Sequence, residues 1–172
     1  IEPEFKDYMK LMNSRGVTTV KEMGFDDFYG FDSFLKEKEE KKELSLRTFF
    51  MSQPVGEGIN IEHGKRMREK FQGDFVRFSG YNRMTDGTVA STKGDLLEPY
   101  EGTNMHCSIQ VDYPMIEKEV QLADENGFRY SLHAQGDGAV HKVAGIFDKC
   151  QKKDGKLVNR HAVTDKIGRA HV

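Results

Sequence analysis

His133 has the most chemistry within reach of any residue in this sequence. It lies in Leu132-His133-Ala134-Gln135-Gly136-Asp137, where an apolar run stops and a Gly-Asp turn begins. An imidazole there can bind zinc through a ring nitrogen or move protons near neutral pH. It can equally be hydrogen-bonded to the backbone in a purely structural role. Asp137, four residues on, can cap the following helix, bind a metal, or orient the imidazole. Asp86-Gly87 is either a plain tight turn or part of a site, with Asn82 four residues before it. His161 and Asp165 complete the set. Alternation along an extended strand would turn both to one side. His63 and His106 lie in polar segments, His141 inside a helix pattern and His171 near the end, and none has a spacing that ties it to a site. Cys107 and Cys150 form no CxxC pair. Cys150 falls near a helix end, where the dipole disfavours a thiolate. No GxGxxG, GxxxxGK[ST] or GxSxG motif occurs, so nucleotide-binding loops and a serine-hydrolase elbow have no support.

These residues need elements to position them, and the hydrophobic pattern supplies a regular alternation. Phe5, Tyr8, Met9 and Met12 recur at helical spacing within residues 4–15, and the β-branched run 17–20 follows as a strand. A second helix is predicted over 26–42, ending in a charged, solvated face. Strand 44–51, a more polar helix over 57–71 and strand 75–78 come next. Asp112 and Pro114 suit the first turn of a helix over 113–126. Strand 128–133, a helix over 138–153 and a last strand over 159–164 close the series. Short strands alternating with longer helices mean βαβ units and a parallel sheet of about five strands. In such folds polar residues at the C-terminal strand ends form the sites. His133, the 82–87 stretch and Asp165 all occupy such ends. Residues 80–111 carry no periodic signal, which marks a functional or disordered loop.

Composition removes several function classes. Among 172 residues, 26 basic and 28 acidic side chains leave a net charge of −2. There is no broad basic field to attract nucleic acid, and no apolar run long enough to span a membrane. No basic-then-apolar leader opens the chain, and the two cysteines form no disulfide framework. The expectation is a cytoplasmic protein without nucleic-acid or membrane partners.

Taken in order, the segments resemble the metal-dependent amidohydrolase superfamily, in the branch of N-substituted formamide deformylase-like TIM-barrel hydrolases. Leu132-His133-Ala134-Gln135-Gly136-Asp137-Gly138-Ala139-Val140 is similar to that branch's IHAIGDRAV segment, its most specific motif. Asp86-Gly87 followed by Glu98-Pro99-Tyr100 resembles its DG…EPY loop. Arg160-His161 resembles its RH(R)IEH segment, and Gly16-Val17-Thr18-Thr19-Val20 its strand after a helix. The match in order and spacing runs from about Phe5 to Asp165.

The resemblance implies an α/β chain that is part of a (β/α)8 TIM barrel, roughly strands two to six. It implies hydrolysis of an amide-type C–N bond in a small molecule by water activated on a divalent metal, usually zinc. Carried over residue by residue, His133 matches the metal ligand of the fifth strand. Asn82 stands where the family has a bridging Lys, and Asp165 where it has the sixth-strand His. Asp165 is therefore a second candidate ligand. Asn82, Asp86, Asp137 and His161 are expected to stand behind the ligands or to fix loops. The family's HxH strand and last-strand Asp have no counterpart, so the chain reads as a fragment that is inactive by itself. The alternative is a small-ligand-binding barrel without catalysis. Residues 1–165 are expected to be the barrel fragment and 166–172 a non-native tail. Open sheet edges predict self-association or partial disorder of the 80–111 loop.

Overall fold

The computed structural model describes residues 2–24, 30–54, 56 and 58–166. Helix α1 (Glu2–Ser14) turns Phe5, Met9 and Met12 to one side. Strand β1 (Thr19–Glu22) pairs in parallel with β2 (Arg47–Ser52), placing Val20 beside Thr48 and Glu22 beside Phe50. Between them runs α2 (Phe31–Glu40). Helix α3 (Ile61–Lys70) starts at Asn60, whose side chain accepts from His63 N–H at 2.9 Å. Strand β3 (Val76–Met84) follows. Residues 1–55 and 60–80 form one compact unit. Its core is Met9, Leu35, Leu46, Phe50, Phe71 and Val76, with Phe50 edge-on to Phe71 at 5.1 Å. Lys38 is buried in this unit. It is tolerated there because Glu2 and Glu43 each accept from its ammonium at 2.8 Å.

The second unit comprises residues 56–59 and 81–172. Helix α4 (Tyr113–Glu125) starts as the sequence predicts, with Asp112 accepting from Met115 N–H at 2.9 Å and Pro114 in its first turn. Strand β4 (Tyr130–His133) is wholly buried. Helix α5 (Asp137–Asp148) turns Ala139, Val143, Ile146 and Phe147 into the core. A small antiparallel hairpin follows, β5 (Lys152–Lys153) with β6 (Lys156–Leu157), and then β7 (Ala162–Thr164). The sheet order is β1-β2-β3-β4-β7, with the pairs β1–β2, β3–β4 and β4–β7 parallel. The fold class is the expected one: α/β, with five parallel strands alternating with helices as in a partial (β/α)8 barrel.

Three departures from the sequence reading have physical causes. Strand β3 runs on to Met84 instead of stopping at Phe78, because its polar residues have uses. Arg83 pairs with the buried Glu119, at 2.7 Å from Nε and 2.8 Å from Nη2, and Tyr130 donates to the same carboxylate at 2.7 Å. Gly80, at φ +110, takes the backbone through a conformation that L side chains rarely adopt. Helix α5 stops at Asp148 and not at Lys153. Asp154 (φ +52) and Gly155 (φ +74) form the two-residue turn that closes the hairpin instead. Residues 85–111 are held by specific bonds. A 3-10 turn at Val89–Ser91 is closed by Thr92 N–H to Val89 O, and Leu96 N–H donates to His106 O, both at 3.0 Å. Of the proposed tail only Lys166 is described; residues 167–172 lie outside the described residues.

Candidate functional site

The parallel register of β3, β4 and β7 sets one face of the sheet. Met84 lies beside His133, and His133 beside Thr164; one step deeper, Asn82 lies beside Ser131 and Ser131 beside Ala162. Residues two apart share a face, so these six side chains form two rows on one side. It is a polar surface with unmet needs. Asn82 Oδ1, His133 Nδ1 and Thr164 Oγ1 are buried without a hydrogen bond. Buried polar atoms without partners are rare in proteins and call for an explanation.

Behind His133 the loops are tied down by Asp86, which is 1% exposed. Its Oδ1 accepts from Gln135 N–H at 3.0 Å. Its Oδ2 accepts from Gly136 N–H at 2.8 Å and from Asp95 N–H at 3.0 Å. Oδ1 also lies 3.5 Å from His133 Nδ1. Thr85, the neighbour of Asp86, donates its hydroxyl to the His133 carbonyl. The loop backbone presses against the start of α5, where a Cβ on Gly136 would meet Asp95 O at 2.1 Å. Asp95 O accepts from Ala139 N–H at 2.9 Å and so serves the N-terminus of α5, which has no side-chain cap. The Asp95 carboxylate is fixed in turn by Tyr113 OH at 2.5 Å and Lys142 Nζ at 2.6 Å. Burial and the adjoining Asp95 push the Tyr113 phenol well above its ordinary range, so it remains a donor.

The sequence-predicted residues fall into three groups. His133, Asn82 and Asp86 are buried at the C-terminal ends of β3 and β4. Asp137 is exposed at the first position of α5. It is not the N-cap, which is Gly136, and its Oδ1 accepts from Leu97 N–H and Gly138 N–H, both at 2.9 Å. Asp165 is exposed just beyond β7 at φ +60 and makes no hydrogen bond or ion pair with His133. His161 precedes β7 instead of lying within it, and it turns away from Asp165 into the helices. Its buried ring stacks on Phe147 at 5.1 Å.

His161 belongs to a group that sequence reasoning did not assemble. Asp124, Cys150 and His161 place ligand atoms within 4.8 Å of one another, the arrangement of a candidate metal site. Asp124 sits at the end of α4 and Cys150 just beyond α5, and no local motif links them. The hydrogen bonds argue against a metal here. Tyr130 N–H donates to His161 Nδ1 at 3.1 Å, so the ring proton sits on Nε2, which lies 2.9 Å from Asp124 Oδ1. A neutral imidazole has one lone pair, and the backbone takes it. Asp124 also accepts from Asn159 at 2.7 Å and from Gln151 N–H at 2.7 Å. Burial, with Asp124 and Glu117 nearby, pushes the Cys150 thiol up to about 11, away from the thiolate a metal needs. The group does not fit a metal; it is a structural clamp.

His133 does fit one. Its Nδ1 is turned to a carboxylate, while Nε2 makes no hydrogen bond and is not sealed off. The unpartnered oxygens on its face, those of Asn82 and Thr164, are both neutral. Among the described residues, His133 joins no cluster of three His, Cys, Asp or Glu ligand atoms. A metal at His133 would therefore find one nitrogen ligand among the described residues.

Comparison with solved structures gives two close likenesses in fold. One is an uncharacterized metal-dependent hydrolase from Pyrococcus horikoshii OT3, with TM-score 0.65, 21% identity and 83% of this chain covered. The other is an uncharacterized metal-dependent hydrolase from Pyrococcus furiosus, with TM-score 0.68, 21% identity and 91% covered. This chain spans 29% and 31% of those two chains, less than a third of either. At that identity the likeness is one of fold. No protein-family model matches the sequence, and comparison with curated proteins finds no match. No helix among the described residues is long and apolar enough to cross a membrane.

Proposed function

We propose that this chain is part of a metal-dependent hydrolase that cleaves amide-type C–N bonds in small molecules, in the amidohydrolase branch that its motifs resemble. The observation that carries this reading is His133 at the end of β4, with a carboxylate behind Nδ1 and Nε2 free of protein partners. The metal-dependent hydrolases that share its fold support the same reading. His133 would hold a divalent metal, zinc by the chemistry of imidazole ligands, with Asp165, just beyond β7, the second candidate ligand. Such a metal, when bound, supplies an activated water and polarises a carbonyl. The chain's own residues do the rest. Asp86 and Asp137 fix the loops around the mouth, and Asn82 offers an amide to a polar group on the ligand. Two free cysteines accord with a reducing, cytoplasmic setting. The outer edges of β1 and β7 end the sheet, and through them the isolated chain is expected to self-associate, a state light scattering reads.

The test is metal content and chelator-sensitive hydrolysis of an N-acyl and N-formyl amide panel by the longer protein that contains this segment. One or two metal ions per chain, with both metal and turnover lost in His133→Ala, are expected. The 172-residue chain alone is expected to show no turnover. One observation favours a second reading, a barrel that binds a small ligand without catalysis. The buried group at the bridging position is Asn82, a neutral amide that cannot supply a carboxylate. A longer protein that holds no metal yet binds such amides would establish that reading.

A further inference from the structure

A carboxylate offers about four lone-pair sites to donors. Asp86 has three of them filled by backbone: Gln135 N–H on Oδ1, and Gly136 N–H and Asp95 N–H on Oδ2. The open site is on Oδ1, the oxygen 3.5 Å from His133 Nδ1. That separation is too long for a hydrogen bond in this state. It is short enough to decide which nitrogen carries the proton. With the proton on Nε2, a lone pair on buried Nδ1 would face a carboxylate oxygen across a site closed to water. With the proton on Nδ1, the same contact becomes attractive.

We infer that Asp86 is the positioning residue of this site: it holds neutral His133 in the Nδ1–H form and so keeps the Nε2 lone pair for a ligand. The inference rests on the hydrolase reading only for what Nε2 would bind; the tautomer itself is a property of this chain. It also assigns to Asp86 the orienting task that position alone would give to Asp137. The Asp137 carboxylate is engaged with Leu97 N–H and Gly138 N–H instead. The three backbone donors give Asp86 its precision. They arrive from two segments, 95 and 135–136, so the carboxylate cannot swing away from the ring without breaking the loop around the β4–α5 junction.

The test is long-range 1H–15N NMR of the 172-residue chain labelled at histidine, at alkaline pH, where the 15N shifts themselves report when each ring is neutral. His133 is expected as Nδ1–H, and His161, whose Nδ1 accepts from Tyr130 N–H, as Nε2–H. Opposite tautomers in one sample make His161 an internal reporter of folding. Asp86→Asn should abolish the Nδ1–H signature of His133 while that of His161 persists, and Asp86→Glu should restore it at least in part. A wild-type His133 found as Nε2–H overturns the inference, whether or not the Asp86 variants fold. So does an Asp86→Asn chain in which both rings keep their wild-type forms. Failure of the hydrolase reading is distinct: His133 would be Nδ1–H here, yet the longer protein would hold no metal.

Discussion

Two histidines in the second unit stand against buried aspartates, and the pairs are wired in opposite senses. At His161 the carboxylate of Asp124 takes Nε2, the backbone N–H of Tyr130 takes Nδ1, and Phe147 covers the ring. Every polar atom is satisfied, as a core histidine should be. At His133 the carboxylate of Asp86 faces Nδ1 from 3.5 Å, and neither nitrogen has a hydrogen bond. Proximity of His, Asp and Cys alone therefore points to the pair that has no lone pair left for a metal. What separates the two is the count of lone pairs still available, which is zero at His161 and one at His133.

The sharpest break of this comparison is His161→Ala. It removes a fully buried ring and leaves Tyr130 N–H and one acceptor site of Asp124 without partners. A loss of about 3–4 kcal/mol is expected from the cavity together with the unpaired groups. Urea unfolding of the chain measures it, and a loss below about 1 kcal/mol would mean that the clamp is not structural. Gly136→Ala comes next, since its Cβ would meet Asp95 O at 2.1 Å and something must shift. About 1–3 kcal/mol is expected. The damage should concentrate at the Asp86 loop and be visible as faster amide exchange at Asp95 and Gly136.

A pH titration sharpens the contrast further. Burial alone would raise the carboxyl of Asp124. Hydrogen bonds from Asn159, Gln151 N–H and His161 outweigh it and hold the group below the ordinary Asp range. A folded pKa below the unfolded one means that the stability is present above the unfolded value, near 3.9, and is lost as pH falls through the folded value. Unfolding free energy should therefore be insensitive to Asp124 above about pH 5 and fall in acid. In Asp124→Asn the acid slope should be shallower. An unchanged slope would mean that the clamp does not hold Asp124 ionised.

The same distinction explains what could be read from residues alone. The βαβ rhythm was legible because apolar spacing in α4 and α5 and the short strand runs are local signals. The place of His133 at a strand end was legible because an apolar run before a Gly-Asp turn is local too. The Asp124–Cys150–His161 group was not, since its members are brought together only by the packing of α4, α5 and β7. The far half of β3 was missed for the complementary reason. Asn82 and Arg83 look like loop residues until Glu119, 36 positions beyond Arg83, is seen to pair with it. The hairpin over 152–157 did carry a signal, Asp154-Gly155 between short runs, but the strong helical period before it masked the turn. The roles of Asp86 and Asp137 depended on which backbone N–H groups reach each carboxylate, and no spacing encodes that.

The smallest expected effect falls at the residue with the most chemistry. His133→Ala breaks no hydrogen bond, because neither ring nitrogen makes one. The buried His133 Nδ1 faces Asp86 only from 3.5 Å, too far for a hydrogen bond, so little polar stabilisation goes with the ring. The net change in unfolding free energy is expected to stay within about 1 kcal/mol, against several for His161→Ala. A site residue kept for function carries such a signature: an orphaned polar group costs stability in the folded chain and is retained for what it binds. Urea midpoints of the two alanine variants, measured side by side, test this. Equal losses would make His133 a second structural histidine and remove the ground for a ligand at Nε2. A near-neutral His133→Ala would leave function as the reason for an imidazole at that strand end.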